Sequence, residues 1–256
     1  MDIKILVATH KEYWMPEDEV YLPIHVGREN KAGLGYLGDN TGNNISAKNS
    51  NYCELTGLYW AWKNLKCDYI GLCHYRRYFA NSVSSNDLEK KKLAILQKHN
   101  YENLLQQYDV IVPKKRNYFI ETVRSQYEHA HNKNDLDEVE KIIAEFYPNY
   151  SKAFSQVMGK TKLYIFNMFV MKKELFDEYC QWLFAILFEL EKRIDISRYD
   201  HYEARVFGFL SERLFNVWLE QHHLKVKEVN VVFLENINWI DKCIKFLKRK
   251  FSSLIT

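Results

Sequence analysis

Glycine and proline are scarce in this 256-residue sequence, which contains 9 Gly and 4 Pro against 18 Tyr, 15 Phe and 6 Trp. Collagen-like and disordered chains are rich in glycine and proline and poor in aromatic residues, so both classes of protein are excluded. The sequence has no internal repeat and no low-complexity tract. Its hydrophobic content of 47% is typical of a packed globular fold with few long linkers.

A strong excess of one charge and long apolar runs are lacking too. The formal net charge is only +3, whereas nucleic-acid-binding domains carry a basic stripe, so we expect no nucleic-acid partner. No segment approaches the roughly 20 apolar residues of a membrane span. The first residues, MDIKILVATH, carry an acid and an apolar run too short for a secretory signal. We therefore expect a cytoplasmic chain that is neither exported nor transmembrane.

Paired cysteines are also missing. The number of cysteines is odd, and no two have the C-x-x-C spacing of a zinc or redox motif. They are Cys53, Cys67, Cys73, Cys180 and Cys243. This pattern predicts reduced thiols, in keeping with a cytosolic protein.

What the sequence does contain is an alternation of strand and helix patterns. The apolar runs typical of strands are IKILVATH, EVYLPIHVG, YIGLCH, YDVIVP, KLYIFNMFVMKK and KVKEVNVVFL. Helical patterns cover 50–65, 86–107, 118–130, 135–146, 174–192 and 201–221. Strands separated by helices predict an α/β, Rossmann-like fold with a mixed, mostly parallel sheet covered by helices. Ligands bind such sheets outside the carboxyl ends of the strands.

One strand pattern, DYIGLCHYRRYF at 68–79, runs directly into a cluster of cationic and aromatic residues. His74, Arg76 and Arg77 stand where a turn ordinarily uses Gly, Asn or Pro. Two crowded guanidinium groups are costly unless anionic partners offset them, and their donor geometry matches phosphate oxygens. We therefore expect an anionic partner at this strand end, and the alternative to a bound ligand is a pair with a core carboxylate such as Glu54. His74 could ligate a metal, donate to a phosphate or be structural.

Longer sequence blocks carry a resemblance to a known family. They are, in order, IKILVATHKEYWMPEDEVYLPIHVGR, LGYLGDNTGNNIS, NYCELTGLYWAWKN, YIGLCHYRRYF, NMFVMKKELFDEYCQWLF and GFLSERLFNVWL. These blocks resemble a bacterial family of capsular and exopolysaccharide glycosyltransferases, long catalogued as a domain of unknown function. The resemblance runs from residue 3 to about residue 234. It implies a GT-A-like domain that takes sugar from a nucleotide diphosphate donor, with galactofuranose or galactose transferred by some relatives.

The sequence departs from the GT-A pattern at the metal site. Many GT-A enzymes hold Mn or Mg on the donor diphosphate through an Asp-x-Asp at a central strand end, but HYRR occupies that position here. The arginines would then neutralise the phosphates directly, and no metal ligand is assigned. The only Asp-x-Asp, Asp135 and Asp137, opens a helix and predicts N-terminal capping. His129, His131 and Asn167 are assigned to an acceptor or phosphate loop, with metal binding as the alternative for the histidines.

Donor binding is predicted at two further places. Thr9 and His10 end the first strand, where GT-A-like enzymes usually meet the nucleotide. Asp39, Asn40 and Asn44 lie in a loop rich in Gly and Asn that could bind ribose, base or sugar hydroxyls. The alternative for this loop is ordinary turn chemistry, because Asn and Asp bond their own backbone.

An inverting transfer needs a carboxylate that deprotonates the acceptor hydroxyl. The candidates are Asp200, Glu203 and Glu212, because Arg205 and Arg213 could hold them ionised. Glu203 and Glu212 are nine residues apart, so on one straight helix they would face opposite sides. Only one of these two could then line the site.

The C-terminal residues 236–256 predict a basic amphipathic tail helix that follows a glycosyltransferase domain at 1–235. Apolar residues recur at helical spacing, and five basic residues cluster at 242–250. Such a helix can lie on an anionic membrane surface. The alternative is a terminal helix packed on the domain.

These patterns and the resemblance together predict a glycosyltransferase that extends a lipid-linked saccharide in capsule, exopolysaccharide or O-antigen synthesis. The donor would be a UDP-sugar and the transfer inverting. The enzyme would be cytoplasmic and peripheral on the inner face of the cell membrane. Two other functions stay open, namely a noncatalytic carbohydrate-binding or scaffold protein on the same fold and a nucleotide-sugar hydrolase.

Overall fold

The computed structural model describes residues 1–83 and 85–235. The strands are β1 (Ile3–Thr9), β2 (Tyr21–His25), β3 (Leu37–Gly38), β4 (Tyr69–His74), β5 (Arg77–Ala80), β6 (Val110–Pro113), β7 (Arg116–Asn117), β8 (Lys162–Leu163), β9 (Phe169–Lys172) and β10 (Val226–Phe233). The helices are α1 (Asn49–Tyr52), α2 (Leu55–Asn64), α3 (Leu88–Leu93), α4 (Lys98–Leu105), α5 (Val123–Ala130), α6 (Lys133–Phe146), α7 (Ser151–Gly159), α8 (Lys173–Arg193) and α9 (Val206–His222). The predicted tail helix at 236–256 lies outside the described residues.

The main sheet of the described residues has eight strands in the order β3-β2-β1-β4-β5-β10-β6-β9, with a further pairing between β4 and β9. β1 runs parallel to β2 and β4, β2 runs parallel to β3, and β10 runs parallel to β6. β5 runs antiparallel to β4 and β10, and β9 runs antiparallel to β4 and β6. The prediction of an α/β fold with a mixed sheet is confirmed, whereas a parallel majority is not.

The sheet divides at β4. Residues 69–72 pair with β9, but His74 at the end of the strand pairs with Arg77 of β5. The chain therefore reverses in a hairpin whose turn is made by Tyr75 and Arg76. Because β1 and β4 are adjacent and parallel, their carboxyl ends open on the same edge of the sheet as this hairpin.

The core lies on both faces of the sheet because successive strand residues point to opposite faces. Leu6 and Leu72 belong to a cluster that includes α2, α6, α8 and α9, while Ile5 and Val7 belong to a second cluster. Each fully buried side chain of this size contributes about 1.5–3 kcal/mol to folding. The second cluster contains the buried tyrosines Tyr21, Tyr78 and Tyr101. Packing on both faces therefore fixes β1 and β4, the strands that end at the site.

Several elements differ from their predicted bounds. The helix predicted at 50–65 breaks at Cys53, whose φ is 53°, so α1 and α2 are separate. The pattern over 86–107 is two helices, α3 and α4, and α9 begins only at Val206. No predicted pattern covers α7. Such breaks follow from tertiary packing, which overrides local propensity.

None of the helices within residues 1–83 and 85–235 is long and apolar enough to cross a membrane. The cysteines of the same ranges are free thiols, with Cys73 and Cys180 buried and Cys53 and Cys67 partly buried. The prediction of reduced thiols therefore holds for the described part of the chain.

Candidate functional site

A polar cavity of about 560 Å³ opens at the carboxyl ends of β1 and β4. The β4–β5 hairpin forms one wall, α1 and the start of α2 another, and the first turns of α9 a third. The sequence predicts the ligand site at this edge of the sheet. The lining includes His10, Glu54, His74, Arg76, Arg77 and Glu212.

His74 ties the hairpin to the segment that precedes β9. Its Nε2 lies 2.7 Å from the backbone carbonyl oxygen of Phe166, so this nitrogen donates a hydrogen bond. Burial lowers the pKa of His74, and Arg77 lowers it further, whereas Glu54 acts in the opposite direction. A neutral ring that donates to a carbonyl positions the backbone, and this accounts for an imidazole at the end of a buried strand.

Arg76 forms an ion pair outside the hairpin. Its Nη1 lies 2.8 Å from an oxygen of Glu235, and Lys11 Nζ lies 3.5 Å from the other oxygen of the same carboxylate. All three side chains are partly exposed, so the pairs are worth little in stability. Arg76 therefore pairs with Glu235 rather than with Glu54, the carboxylate named as the alternative from sequence.

Arg77 is held against the cavity wall. Its guanidinium carbon lies 4.5 Å from the centre of the Phe166 ring, a cation–π distance. Burial lowers the pKa of Arg77 and the charge of Arg76 lowers it further, whereas Glu54 and Glu212 raise it. A partly buried cation in this setting attracts an additional anion.

Glu212 is the carboxylate that α9 contributes to the cavity. One oxygen accepts a hydrogen bond from the backbone N–H of Phe166 at 2.8 Å, and the other lies 3.1 Å from Arg213 Nη1. Burial raises the pKa of Glu212, and the charge of Arg213 and the Phe166 bond oppose that rise. A carboxylate with a raised pKa suits proton transfer near neutral pH.

A strained segment at Phe166 and Asn167 joins the walls of the cavity. Their φ angles are 79° and 53°, in the left-handed region that side chains rarely adopt. The Asn167 amide donates to Glu54 at 2.7 Å and to the Gly208 carbonyl at 3.3 Å, and it accepts from Ser211 at 3.0 Å. Strain of about 1–3 kcal/mol per residue persists only where surrounding contacts enforce it. Asn167 is buried, and its amide holds the Glu54 carboxylate in place. This role differs from the acceptor or phosphate contact that the sequence predicts for Asn167.

His10 lines the cavity, whereas its neighbour Thr9 does not. The His10 ring packs edge to face on Tyr75 at 5.4 Å, and burial together with Arg76 lowers its pKa. Thr9 is buried and donates its hydroxyl to the Lys11 carbonyl at 2.6 Å. Of the two predicted donor residues at the end of β1, the structure therefore brings only His10 to the cavity.

The loop residues Asp39, Asn40 and Asn44 lie away from the cavity lining. The buried Asp39 carboxylate accepts from the backbone N–H groups of Gly27 and Arg28 at 2.8 and 3.0 Å, and from the hydroxyl of a buried serine. Asn44 bonds the backbone of its own loop. For Asn44 this is the turn chemistry named as the alternative, whereas Asp39 ties its loop to the segment that follows β2.

Two of the predicted carboxylates also lie outside the cavity lining. Asp200 accepts from the backbone N–H groups of Tyr202 and Glu203 at 2.7 and 2.8 Å, which closes the turn before α9. Glu203 begins a short 3-10 helix, Glu203–Arg205, that directly precedes α9. The structure therefore brings Glu212, but neither Asp200 nor Glu203, to the cavity.

The two histidines of the predicted acceptor or phosphate loop lie at the end of α5. His129 Nδ1 lies 2.7 Å from Glu121. The His131 ring stacks at 4.1 Å on Phe209, a residue of the cavity lining. His131 thus supports the wall of the cavity from behind.

Several lining residues were not singled out from sequence as site residues, among them Cys53, Tyr75, Phe166 and Arg205. Arg205 Nε donates to Cys53 Sγ at 3.2 Å, and burial, with Glu54 adding to it, raises the pKa of that thiol to about 11. A positive φ at cysteine carries no sequence signal, so only the fold reveals this contact.

The residues at the end of β4 do not fit a divalent-metal site of the Asp-x-Asp kind. Within residues 1–83 and 85–235, no three His, Cys, Asp or Glu side chains are grouped as metal ligands. The only Asp-x-Asp is engaged elsewhere, because Asp135 accepts from Tyr199 at 2.7 Å and Asp137 pairs with Arg124 at 2.8 Å. Both lie in the first turns of α6.

The fold and the site define an α/β protein with a polar ligand cavity at the carboxyl ends of its central strands. A family model described as a domain of unknown function, DUF4422, matches residues 4–223, and the chain belongs to this family. The solved apo structure of WbbM, a bifunctional glycosyltransferase, is similar to this chain, with a TM-score of 0.85 and 34% sequence identity.

That similarity covers 92% of this chain but 46% of the WbbM chain, so this chain spans about half the length of the protein it matches. A search of curated proteins gives no match. The resemblance inferred from sequence is therefore confirmed for the family and for the likeness to a glycosyltransferase structure.

Proposed function

We propose that this chain is a GT-A-like glycosyltransferase that moves a sugar from a nucleotide diphosphate donor to a saccharide acceptor. The observation that carries the proposal is the likeness to WbbM over nearly the whole chain at 34% identity. The cavity supports it, because cationic and carboxylate side chains line one volume at the strand ends. Cationic side chains offset the charge of a diphosphate, and a carboxylate removes the proton from the acceptor hydroxyl.

In the proposed reaction, the acceptor hydroxyl oxygen attacks the anomeric carbon of the donor sugar. The bond from that carbon to the diphosphate breaks, and the hydroxyl proton moves to a carboxylate. Arg77 offsets the charge of the leaving diphosphate, and Arg76 can join it on leaving Glu235. Glu212 takes the proton, because its raised pKa suits this role, and inversion follows from a single displacement.

The proposal also names the donor, the acceptor and the location of the enzyme in the cell. The donor would be a UDP-sugar carrying galactofuranose or galactose. The acceptor would be a lipid-linked saccharide of capsule, exopolysaccharide or O-antigen synthesis. The enzyme would act in the cytoplasm, peripheral on the inner face of the cell membrane, with the tail at 236–256 contributing to attachment.

The test is release of nucleoside diphosphate from a panel of nucleotide sugars, with and without a lipid-linked saccharide acceptor. We expect release that depends on the acceptor with one donor, and we expect Glu212→Gln to abolish it while donor binding persists. Equal release without acceptor would indicate a hydrolase. Saccharide binding without any release would indicate a noncatalytic binding protein, and either result contradicts the proposal.

A further inference from the structure

Two consecutive large apolar side chains project from the loop between β7 and α5. Phe119 is 79% exposed and Ile120 is 82% exposed. Side chains of this size are usually buried, because each loses about 1.5–3 kcal/mol of burial free energy when left in water. We call these two residues the apolar tip. An adjacent exposed pair of this kind indicates a surface that another phase or molecule covers.

The base of the apolar tip is well ordered by backbone hydrogen bonds. β7 pairs antiparallel with β8, and the N–H of Tyr118 donates to the Thr161 carbonyl at 2.8 Å. On the other side, the N–H of Val123 donates to the Lys160 carbonyl at 2.8 Å. The tip is therefore a fixed projection, anchored on both sides to the segment 160–162.

Basic residues precede the apolar tip in sequence and occur in the segment that pairs with its base, while the acidic Glu121 directly follows the tip. The sequence KKRNYFI at 114–120 contains three basic residues and no acidic one, and two lysines of the pairing segment flank it. Lys160 is offset by Glu220 at 2.6 Å. We use the name basic collar for five basic residues, namely Lys114, Lys115, Arg116, Lys160 and Lys162.

A small cavity lies within the basic collar. Its volume is about 220 Å³, and its lining includes three lysines, Lys115, Lys160 and Lys162, against one carboxylate, that of Glu220. Lys115 Nζ lies 4.7 Å from the centre of the Tyr164 ring. Ammonium groups around a recess of this size suit the phosphate of a lipid headgroup.

We propose that the apolar tip and the basic collar dock this chain on an anionic phospholipid bilayer. The tip would enter the interface, and the collar would lie at the level of the phosphates. Charge complementarity favours a bilayer over a protein partner. Protein interfaces deplete charge at their centres and bury about 1,200–2,000 Å², far more than two side chains supply.

The inference rests on the membrane location given in the proposed function and assigns it to a surface of the chain, whereas flotation with vesicles is measured without any transfer of sugar.

The test is flotation of the full chain with vesicles of phosphatidylcholine, alone or mixed with phosphatidylglycerol. The tip variant carries Phe119→Ser and Ile120→Ser, and the collar variant carries Lys115→Gln and Lys162→Gln. Matched controls are Leu93→Ser, at a side chain that is 84% exposed, and Lys152→Gln on α7. Melting temperatures establish that every variant folds.

We expect flotation with the anionic vesicles that falls at least about tenfold in the tip variant. It should fall about 20- to 30-fold in the collar variant, because each basic side chain near an anionic surface contributes about fivefold. The controls should float like the unmodified chain. Unchanged flotation of the tip or collar variant would overturn the proposal, since other parts of the chain would then suffice. Failure of the unmodified chain to float would overturn it as well.

Discussion

Among single residues, Arg77 is the cavity cation that we propose for binding the donor diphosphate. It lies against Phe166 with carboxylates on two sides, whereas Arg76 is held by Glu235. We expect Arg77→Ala to remove a charge-assisted contact worth about 1.5–3 kcal/mol. Donor affinity measured by calorimetry should fall by about one to two orders of magnitude.

Arg76→Ala is the matched comparison for that measurement, because it removes the same charge from the next position in the chain. Its effect on donor affinity should be smaller, since Arg76 must first leave Glu235. Melting temperatures of both variants should stay near that of the parent chain. Donor binding by Arg77→Ala equal to that of the unmodified chain would refute the assignment.

From the sequence, Glu54 was named only as a structural partner of an arginine. It precedes α2, and its place in the cavity depends on Asn167, which lies more than a hundred positions later. Glu212, by contrast, is a candidate from sequence because a neighbouring arginine, Arg213, could hold it ionised. Spacing along the chain identifies carboxylates but does not tell which of them share a volume.

Among the elements, β4 has no room for a larger side chain at its glycine. Gly71 lies at its centre, and a Cβ there would stand 2.7 Å from the Phe169 carbonyl oxygen and 2.8 Å from Val170 Cγ2. A backbone oxygen cannot move without shifting β9. We expect Gly71→Ala to cost about 1–3 kcal/mol. The midpoint of thermal unfolding should fall by about 2–4 °C for each kcal/mol.

Gly159→Ala is the control for this prediction. Gly159 ends α7, and a Cβ there meets no atom within 4 Å, so the substitution should change stability by less than about 0.5 kcal/mol. Equal melting temperatures for Gly71→Ala and Gly159→Ala would show that β4 and β9 tolerate separation. The close approach would then not matter for the fold.

For the whole molecule, the kind of charged side chain that lines the cavity predicts whether activity depends on a metal ion. Arginines stand at the strand end where GT-A-like enzymes usually place Asp-x-Asp, and the described residues contain no group of three metal ligands. We therefore expect transfer activity to persist largely in EDTA. The measurement compares initial rates with and without the chelator.

A glycosyltransferase of known metal dependence, assayed in the same buffer, serves as the control for the chelator. Its activity should disappear in EDTA and return with manganese. The same behaviour in this chain would contradict our prediction. His74, His129, His131 and Asp135 would then need to be tested as ligands.

The sequence by itself determined the α/β class and the edge of the sheet where the cavity opens. Apolar runs and helical periods are local properties, and a strand buried on both faces must be apolar whatever its partners are. The charged end of β4 was visible for the same reason, because HYRR follows the buried run directly.

Only the tertiary structure decided which residues share the cavity. The cavity brings together side chains from distant parts of the chain, namely Glu54, Arg77 and Glu212. The positive φ angles at Cys53 and Phe166 are held by tertiary contacts. The order of the strands was likewise not readable from their patterns. Strand pairing and cavity composition depend on contacts between residues far apart in sequence, and no local period encodes such contacts.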